Sequence, residues 1–195
     1  MANISRITDS VFTGGDLPLH IGRNAMIEHL RDIEDAGITH IIDNRIEWTD
    51  EAFVLEHSPK ISYLHNPQDD AGQRMPDSWF DRGVGFAQQA LDTNPQARVL
   101  AHCHMGINRG PSMAFAILLA QGHDPVEALG AIRGARDIAA IAYAEDALDW
   151  WHRSSKASPD VVARQRSEVA EWFEAHPIDT VYTIRTVREE EGLIW

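Results

Sequence analysis

Cysteine is almost absent from this sequence: Cys103 is the only one among 195 residues. An intrachain disulfide is therefore excluded, and a domain of this size needs none, because it buries about 70% of its unfolded surface. The longest strongly apolar run, residues 113–120, is far shorter than the roughly 20 residues of a membrane-spanning helix. Residues 1–16 mix charged and apolar residues and lack the apolar stretch of a signal peptide. These absences predict a protein of the reducing cytoplasm.

Basic residues are also scarce. Lys and Arg together number 17 against 30 Asp and Glu, which gives a net charge of −13 at pH 7. Lys60 and Lys156 are the only lysines. Binding to nucleic acids or to anionic membranes depends on many cations that neutralise phosphates. We therefore expect no nucleic-acid partner and no membrane partner.

Predicted strands and helices alternate along the first 153 residues. Short β-branched or apolar runs are followed by segments whose apolar residues recur every three or four positions. We predict strands at residues 11–13, 38–42, 61–64 and 98–102, and helices at residues 21–35, 77–91, 111–120, 124–132 and 142–151. Residues 65–76 carry two prolines and Gly72, which predicts a loop. The alternation predicts an α/β fold, a mostly parallel central sheet flanked by helices.

Residues 154–195 are predicted to form a C-terminal extension beyond this domain. Residues 154–158 are typical of a linker, and Ser158 is expected to cap a helix. Residues 178–187 predict a strand or an irregular arm. The extension contains three large aromatic residues that need burial, Trp172, Phe173 and Trp195. It therefore packs either on residues 1–153 or on a second copy of the chain in a homodimer.

The segment that carries chemistry is His102-Cys103-His104-Met105-Gly106-Ile107-Asn108-Arg109, of which residues 103–109 are called the cysteine loop below. It lies between a predicted buried strand and a predicted helix, where backbone N–H groups converge on an anion. Gly106 permits the positive φ that such a curl needs, and the Arg109 guanidinium matches two phosphate oxygens. The same positive field stabilises a thiolate. One loop thus supplies both a nucleophile and an anion site.

Two other interpretations of this segment are weaker. A free cysteine is commonly a small buried apolar residue. By composition alone, however, roughly one sequence in four thousand places His, Gly and Arg at these positions around its single cysteine. Zinc ligation by His102, Cys103 and His104 is disfavoured, because three consecutive residues cannot converge on one tetrahedral ion. We therefore predict no metal and no cofactor.

The chain resembles the cysteine-based protein tyrosine phosphatases, and within them the compact dual-specificity branch. Members of this family carry a His-Cys-x5-Arg loop after a central strand and an acidic residue on an upstream loop. The resemblance extends from about residue 11 to residue 151 and follows the family order through Asp70-Ala71-Gly72, Trp79-Phe80-Asp81, residues 86–91 and residues 98–103. It implies a protein-tyrosine-phosphatase-like fold, with residues 1–153 as the catalytic domain.

The resemblance also implies a role for each residue of the site. Cys103 is the nucleophile, Arg109 binds the substrate and the transition state, and Asp70 is the general acid, with Asp69 as the alternative. His102 supports the loop by donating a hydrogen bond to a backbone carbonyl. The residues implied to contact the substrate phosphate are His104, Met105, Gly106, Ile107, Asn108 and Arg109.

The chain departs from the family pattern directly after the arginine. Most members carry Ser or Thr there, whose hydroxyl supports the departing thiolate, whereas this chain has Gly110. Ser112 lies two residues further on and, on a helix, is expected to point elsewhere. Slow turnover is therefore one expectation. Arg45 and Arg74 are either rim contacts for a second anionic group or solvated surface residues.

The sequence as a whole predicts a phosphomonoester hydrolase that forms a cysteinyl-phosphate intermediate. The expected substrates are phosphorylated proteins or peptides, as for a protein tyrosine or dual-specificity phosphatase. The alternative is a phosphate-binding adaptor, a pseudophosphatase with weak turnover. A rhodanese-like sulfurtransferase is disfavoured, because its loop typically has fewer residues between cysteine and arginine. Phosphoinositide and RNA 5′-phosphate substrates are disfavoured by the acidic charge balance.

Overall fold

The core of the fold is a five-stranded sheet. The computed structural model describes residues 2–18 and 22–190, and its strands are β1 (Ile4–Arg6), β2 (Val11–Gly14), β3 (His40–Arg45), β4 (Ser62–Gln68) and β5 (Val99–His102). They lie side by side in the order β1-β2-β5-β3-β4. β1 pairs with β2 in antiparallel orientation, and the remaining neighbours pair in parallel. The predicted α/β fold with a mostly parallel sheet is confirmed.

Helices cover both faces of this sheet. They are α1 (Arg23–Asp35), α2 (Glu51–His57), α3 (Asp77–Thr93), α4 (Arg109–Ala120), α5 (Pro125–Ala135), α6 (Ala144–Ser154), α7 (Pro159–Ala175) and α8 (Thr180–Glu190). On one face, side chains of α3 to α7 form a single apolar core with Ile42 and Ala101 of the sheet. On the other face, α1 and α2 pack on Ile41 and Leu100. Helix α4 is buried along nearly its whole length, which fixes its first turn against the end of β5.

Most predicted elements are present, with differences at their ends. The short elements β1 and α2 were not predicted, because three to seven residues are too few to establish a period. β4 continues to Gln68, so the predicted loop at residues 65–76 is shorter than expected. Residue 21, the predicted start of the first helix, lies outside the described residues, and α1 begins at Arg23. Helix α4 begins at Arg109, two residues earlier than predicted.

Helix α7 of the C-terminal extension packs on the rest of the chain. Its Val169 and Trp172 are buried within the main apolar core, and the guanidinium of Arg133 lies 5.4 Å from the Trp172 ring centroid. Trp195 lies outside the described residues. Trp172 is therefore buried within the chain without a second copy. A homodimer through residues 154–195 stays a prediction.

Helix α8 corrects the prediction for residues 178–187, which expected a strand or an irregular arm. The β-branched residues that motivated it are instead distributed along a helix. Ile184 and Val187 of that helix join one apolar cluster with Met105 and Ile107 of the cysteine loop. This contact supplies the tertiary packing that overrides local strand propensity. Among the described residues, no helix is long and apolar enough to cross a membrane.

Candidate active site

The cysteine loop lies at the carboxyl edge of the parallel strands. β5 is central in the sheet, between β2 and β3, and Cys103 follows it directly with only 2% of its surface exposed. Ligand sites of parallel α/β sheets form at this edge, where the strand ends and helix N-termini meet. The loop then passes into the first turn of α4 at Arg109.

Gly106 and Arg136 fix the shape of the loop. Gly106 has φ +67°, and a Cβ built there would lie 2.5 Å from the carbonyl carbon of Gly14. Both the backbone conformation and the available space therefore require glycine. The buried Arg136 side chain donates from Nε to the Gly106 carbonyl and from Nη2 to the Met105 carbonyl, each at 2.7 Å. The motif itself does not include Arg136, which lies 30 residues beyond Gly106.

Arg109 is buried, with 2% of its surface exposed, and is held in a fixed orientation. Its Nη2 donates to Oε1 of Glu47 at 2.7 Å, and its Nη1 donates to Oε2 of Glu47 at 2.9 Å and to the Gln68 carbonyl at 2.8 Å. Burial alone would lower the pKa of Arg109, but the hydrogen bond to Glu47 and the negative charges of Cys103, Glu47 and Asp70 raise it. The guanidinium is thus charged and held by Glu47, the Gln68 carbonyl and Asp70.

Glu47 was not predicted as a site residue. It lies just after β3, the strand beside β5. Its position after a strand was the only sign in the sequence that Glu47 could belong to the site. An acidic residue that follows a neighbouring parallel strand lies at the same edge of the sheet as the cysteine loop. Arg109 in turn lowers the pKa of Glu47, against the effect of burial.

Asp70 lies beside Arg109, on the segment that follows β4 (residues 69–76, called the Asp70 loop). Its Oδ2 is 3.4 Å from Arg109 Nε. Its Oδ1 accepts from the Tyr143 hydroxyl at 2.7 Å and from Asn108 Nδ2 at 3.4 Å. The exposed Asp69 instead accepts from the backbone N–H of Asp70 at 2.8 Å. Of the two aspartates, the fold brings only Asp70 to the cysteine loop.

Arg45 is not a rim residue: its side chain is fully buried below the loop. It is paired with three aspartates, through contacts of 2.7 Å to Asp43, 2.7 Å to Asp50 and 3.2 Å to Asp16. Burial alone would raise the pKa of Asp43, but the hydrogen bonds from Arg45, the charge of Arg45 and the hydrogen bond from Tyr63 lower it to about 2. Because these three carboxylates neutralise Arg45 and bury it, Arg45 does not contact a second anionic group of a substrate, and that expectation is wrong.

Arg74 is exposed and pairs with two aspartates of α6, at 3.1 Å to Asp146 and 2.9 Å to Asp149. It therefore packs away from the cysteine loop. The expectation of a rim contact at Arg74 is not supported, and the alternative of a surface residue describes it.

His102 supports the loop through a different contact from the one predicted. Its ring lies 3.7 Å from Asp43 Oδ1 rather than on a backbone carbonyl, because parallel pairing places Asp43 directly beside it. Its own carbonyl accepts from Asn44 Nδ2 at 3.0 Å. Burial lowers the pKa of His102, so the ring is neutral and structural.

His104 lies at the mouth of the site. Its Nδ1 is 2.9 Å from Asp16 Oδ2, and its ring meets the Trp48 ring edge-on with centroids 5.0 Å apart. The His104 side chain is 30% exposed, and its contact with the substrate phosphate stays a prediction. Within the described ranges, no three His, Cys, Asp or Glu side chains are grouped so that they could hold a metal ion.

Gly110 is packed against the backbone of the central strand. A Cβ built there would lie 2.9 Å from the Ala101 carbonyl oxygen and 3.0 Å from the Cα and carbonyl carbon of His102. Ser112 points elsewhere, as predicted, since its hydroxyl accepts from the backbone N–H of Tyr143 at 3.2 Å. The absence of a hydroxyl after Arg109 therefore has a steric reason in this chain.

With this geometry in place, the chain was compared with known proteins. No family model matches it. Dual specificity protein phosphatase 26 of Mus musculus is 28% identical over 134 residues, which cover 67% of this chain and 60% of the relative. The Homo sapiens protein of that name matches to the same extent. The chain thus spans about 60% of the length of the curated relatives it matches.

Solved structures share the fold. PTPMT1 in complex with PI(5)P has a TM-score of 0.62 at 21% identity, covering 80% of this chain and 99% of its own. Human DUSP28 has a TM-score of 0.62 at 14% identity, covering 80% and 97%. DUSP15 has a TM-score of 0.61 at 17% identity, covering 84% and 95%. The fold is that of the protein tyrosine phosphatases. In sequence, the chain is similar to their dual-specificity branch, which confirms the predicted resemblance.

Proposed function

We propose that this protein is a phosphomonoester hydrolase of the protein tyrosine or dual-specificity phosphatase type, with a cysteinyl-phosphate intermediate. One observation carries the proposal: Cys103, Arg109 and Asp70, from two separate segments of the chain, meet at one edge of the sheet. A nucleophile, a cationic oxyanion ligand and a proton donor are the groups that this reaction requires. The mechanism needs no metal and no cofactor.

In the first step, the thiolate of Cys103 attacks phosphorus while the bond from phosphorus to the leaving oxygen breaks. Asp70 transfers its proton to that oxygen, so an alcohol or phenol leaves instead of its anion. Backbone N–H groups of the cysteine loop and the Arg109 guanidinium hold the phosphoryl oxygens. The product of this step is a phosphate bonded to Sγ of Cys103.

In the second step, water attacks the cysteinyl phosphate. Asp70, now a carboxylate, accepts a proton from that water, the sulfur–phosphorus bond breaks, and inorganic phosphate leaves with the thiolate restored. Asp70 lies beside the cysteine loop, since its Oδ2 is 3.4 Å from Arg109 Nε and its Oδ1 accepts from Asn108 Nδ2 at 3.4 Å. The same carboxyl group thus serves first as acid and then as base.

Arg109 has one guanidinium nitrogen, Nε, that is available to bind the phosphate. Glu47 occupies Nη1 and Nη2, whereas Nε has no hydrogen-bond partner among the described residues. A phosphate oxygen at Nε would satisfy this buried donor. Nε makes an ion pair of 3.4 Å with Asp70 Oδ2 but no hydrogen bond. This supports phosphate binding, because buried polar donors are normally hydrogen-bonded.

Phosphorylated proteins or peptides are the substrates we propose. The name of the curated relatives supports a protein substrate, and Arg45 and Arg74 are both paired with aspartates. A polyanionic headgroup would need further cations beside Arg109. A cytoplasmic setting agrees with the use of a reduced thiol at Cys103.

The test is hydrolysis of phosphopeptides, phosphoinositides and nucleotides by the pure protein with EDTA present throughout. We expect turnover of phosphopeptides, and we expect Cys103→Ser to abolish it while phosphate-analogue binding remains, because a serine hydroxyl is a poor nucleophile at its free pKa. Full activity of this variant, or activity that EDTA removes and zinc restores, would refute the mechanism. Binding of phosphopeptides without turnover by the wild type would identify an adaptor instead.

A second pair of variants tests the acid. Asp70→Asn should lower hydrolysis of phenyl phosphate by about 10²–10⁴-fold. It should spare the formation of cysteinyl phosphate from 2,4-dinitrophenyl phosphate, measured as the burst of dinitrophenol on rapid mixing, because that leaving group needs no proton. Asp69→Asn is the matched control and should do little, because its side chain is exposed and bonds only to its own loop. The reverse result for the two variants would contradict the assignment.

A further inference from the structure

Tyr143 connects the Asp70 loop to the helix that follows the cysteine loop. Its hydroxyl donates to Asp70 Oδ1 at 2.7 Å and accepts the backbone N–H of Gly72 at 3.3 Å. Its own backbone N–H donates to the hydroxyl of Ser112, on α4, at 3.2 Å. The residue is 3% exposed, and its ring belongs to the main apolar core. A fixed ring thus carries a hydroxyl that touches both Asp70 and the backbone two residues beyond it.

The backbone before Tyr143 is tied to the cysteine loop. Ala140 and Ile141 both donate their N–H groups to the carbonyl of Ile107, at 2.9 and 3.3 Å. Ile141 is fully buried and has φ +55°, a conformation that β-branched residues rarely adopt. Such a conformation persists only where surrounding contacts determine it. The turn at residues 140–143 therefore sets the position of Tyr143 relative to the phosphate site.

The hydroxyl of Tyr143 is a donor throughout the working pH range. Burial, together with the hydrogen bond to Asp70 and its charge, raises the pKa of Tyr143 above its ordinary value. Because Oδ1 of Asp70 accepts from Tyr143, a proton on the carboxyl group belongs on the other oxygen, Oδ2. That oxygen lies on the side of the phosphate site, 3.4 Å from Arg109 Nε.

We propose that Tyr143 is a positioning residue for Asp70: its hydroxyl holds the carboxyl group beside Arg109 and directs the transferable proton to Oδ2. The inference rests on the proposed function, in which Asp70 is the acid and then the base. Tyr143 itself does not touch the substrate. A hydrogen bond from a neutral hydroxyl also favours the carboxylate over the neutral acid, so its loss should change the pH dependence as well as the rate.

The test is Tyr143→Phe, which keeps the ring and removes the hydroxyl. With phenyl phosphate, we expect kcat to fall by about tenfold to a hundredfold, the value of one hydrogen bond to a charged group, with KM changed less than kcat. With 2,4-dinitrophenyl phosphate, the rate of the first step, measured as the burst of dinitrophenol, should be nearly unchanged. The basic limb of the kcat–pH profile should move to higher pH, because the protonated acid is then favoured.

Tyr63→Phe is the matched control. Tyr63 donates to Asp43 Oδ2 at 2.7 Å, so this variant also loses a tyrosine–carboxylate hydrogen bond, but not the one to Asp70. We expect a comparable change in melting temperature and no shift of the basic limb. Equal losses with both phosphates and an unmoved limb in Tyr143→Phe would show a merely structural role and overturn the inference.

Asp70→Asn separates this inference from the proposed function. If Asp70→Asn slows phenyl phosphate hydrolysis and Tyr143→Phe behaves as the wild type, the role of Tyr143 is wrong and the acid assignment stands. If Asp70→Asn has no effect, the acid assignment itself is wrong, and the inference falls with it.

Discussion

Substitution of Gly110 by Ser should destabilise the protein and give no gain in turnover. The family resemblance favours a hydroxyl at this position, but the structure opposes any side chain there. An added Cβ would lie 2.9 Å from the Ala101 carbonyl oxygen, about half an ångström short of ordinary contact. The obstructing atoms are backbone atoms of β5, which is paired on both sides and cannot move aside. The first turn of α4 must therefore move instead, and Arg109 moves with it.

Overpacking of this kind costs about 1–3 kcal/mol, and for a chain of this size each kcal/mol lowers the melting temperature by roughly 2–4 °C. Thermal unfolding and the affinity for vanadate should both decrease in Gly110→Ser. Gly110→Ala should behave alike, because the clash belongs to Cβ and not to the hydroxyl. Gly130→Ala on α5 is the matched control: no described atom lies within 4 Å of its Cβ, so we expect it to stabilise by about 0.5–1 kcal/mol.

One result would refute this reasoning. If Gly110→Ser keeps its melting temperature and turns over faster, the loop has room for a side chain. The missing hydroxyl would then limit the departure of the thiolate from the cysteinyl phosphate. Rapid mixing of the wild type would in that case show a burst of product near one equivalent of enzyme.

Three further predictions concern stability. Lys156 has φ +55° after α6, where Lys156 and Ala157 donate to the carbonyls of the last helical turn. Lys156→Gly should therefore raise the free energy of unfolding by about 1 kcal/mol, whereas the control Ser155→Gly should lower it. Equal effects of the two substitutions in thermal melts would contradict this account. Asp43 has a pKa lowered to about 2. Its charge therefore stabilises the fold above pH 3.8, and this contribution of about 2 kcal/mol is lost as the pH falls toward 2. An acid-unfolding curve that is unchanged in Asp43→Asn would count against this. Arg136→Lys should lower both the melting temperature and the affinity for vanadate. The single nitrogen of a lysine ammonium cannot take the places of the two guanidinium nitrogens that hold the Gly106 and Met105 carbonyls.

The parts of the site that could be predicted are those written contiguously in the sequence. The cysteine, Gly106 and Arg109 occupy one short loop, so their shared function is visible without a fold. Asp70 required the resemblance as well, because its place at the site depends on two strands lying near each other in the sheet. Glu47 and Tyr143 have no motif of their own. Their roles come from long-range packing, which periodicity and spacing do not report.

Two errors have the same physical origin. Arg45 was considered a surface or rim residue because an isolated arginine is usually solvated, yet three aspartates from separate segments surround it. Residues 178–187 were expected to be extended because they are rich in β-branched residues, yet Ile184 and Val187 pack as a helical face on the cysteine loop. In each case tertiary contacts outweigh a local preference.

The charges at the site explain how an acidic protein binds a phosphate and protonates its leaving group. Near neutral pH a phosphomonoester carries a charge of about −1.5 to −2, and it would bind at Arg109 Nε, 3.4 Å from Oδ2 of Asp70. A phosphate bound at Nε therefore lies beside the carboxyl group that is proposed to protonate its leaving oxygen. Glu47 remains ionised because two guanidinium nitrogens hold it. In the proposed mechanism, Glu47 therefore holds the Arg109 cation in place, and Arg109 brings the phosphate to the carboxyl group of Asp70.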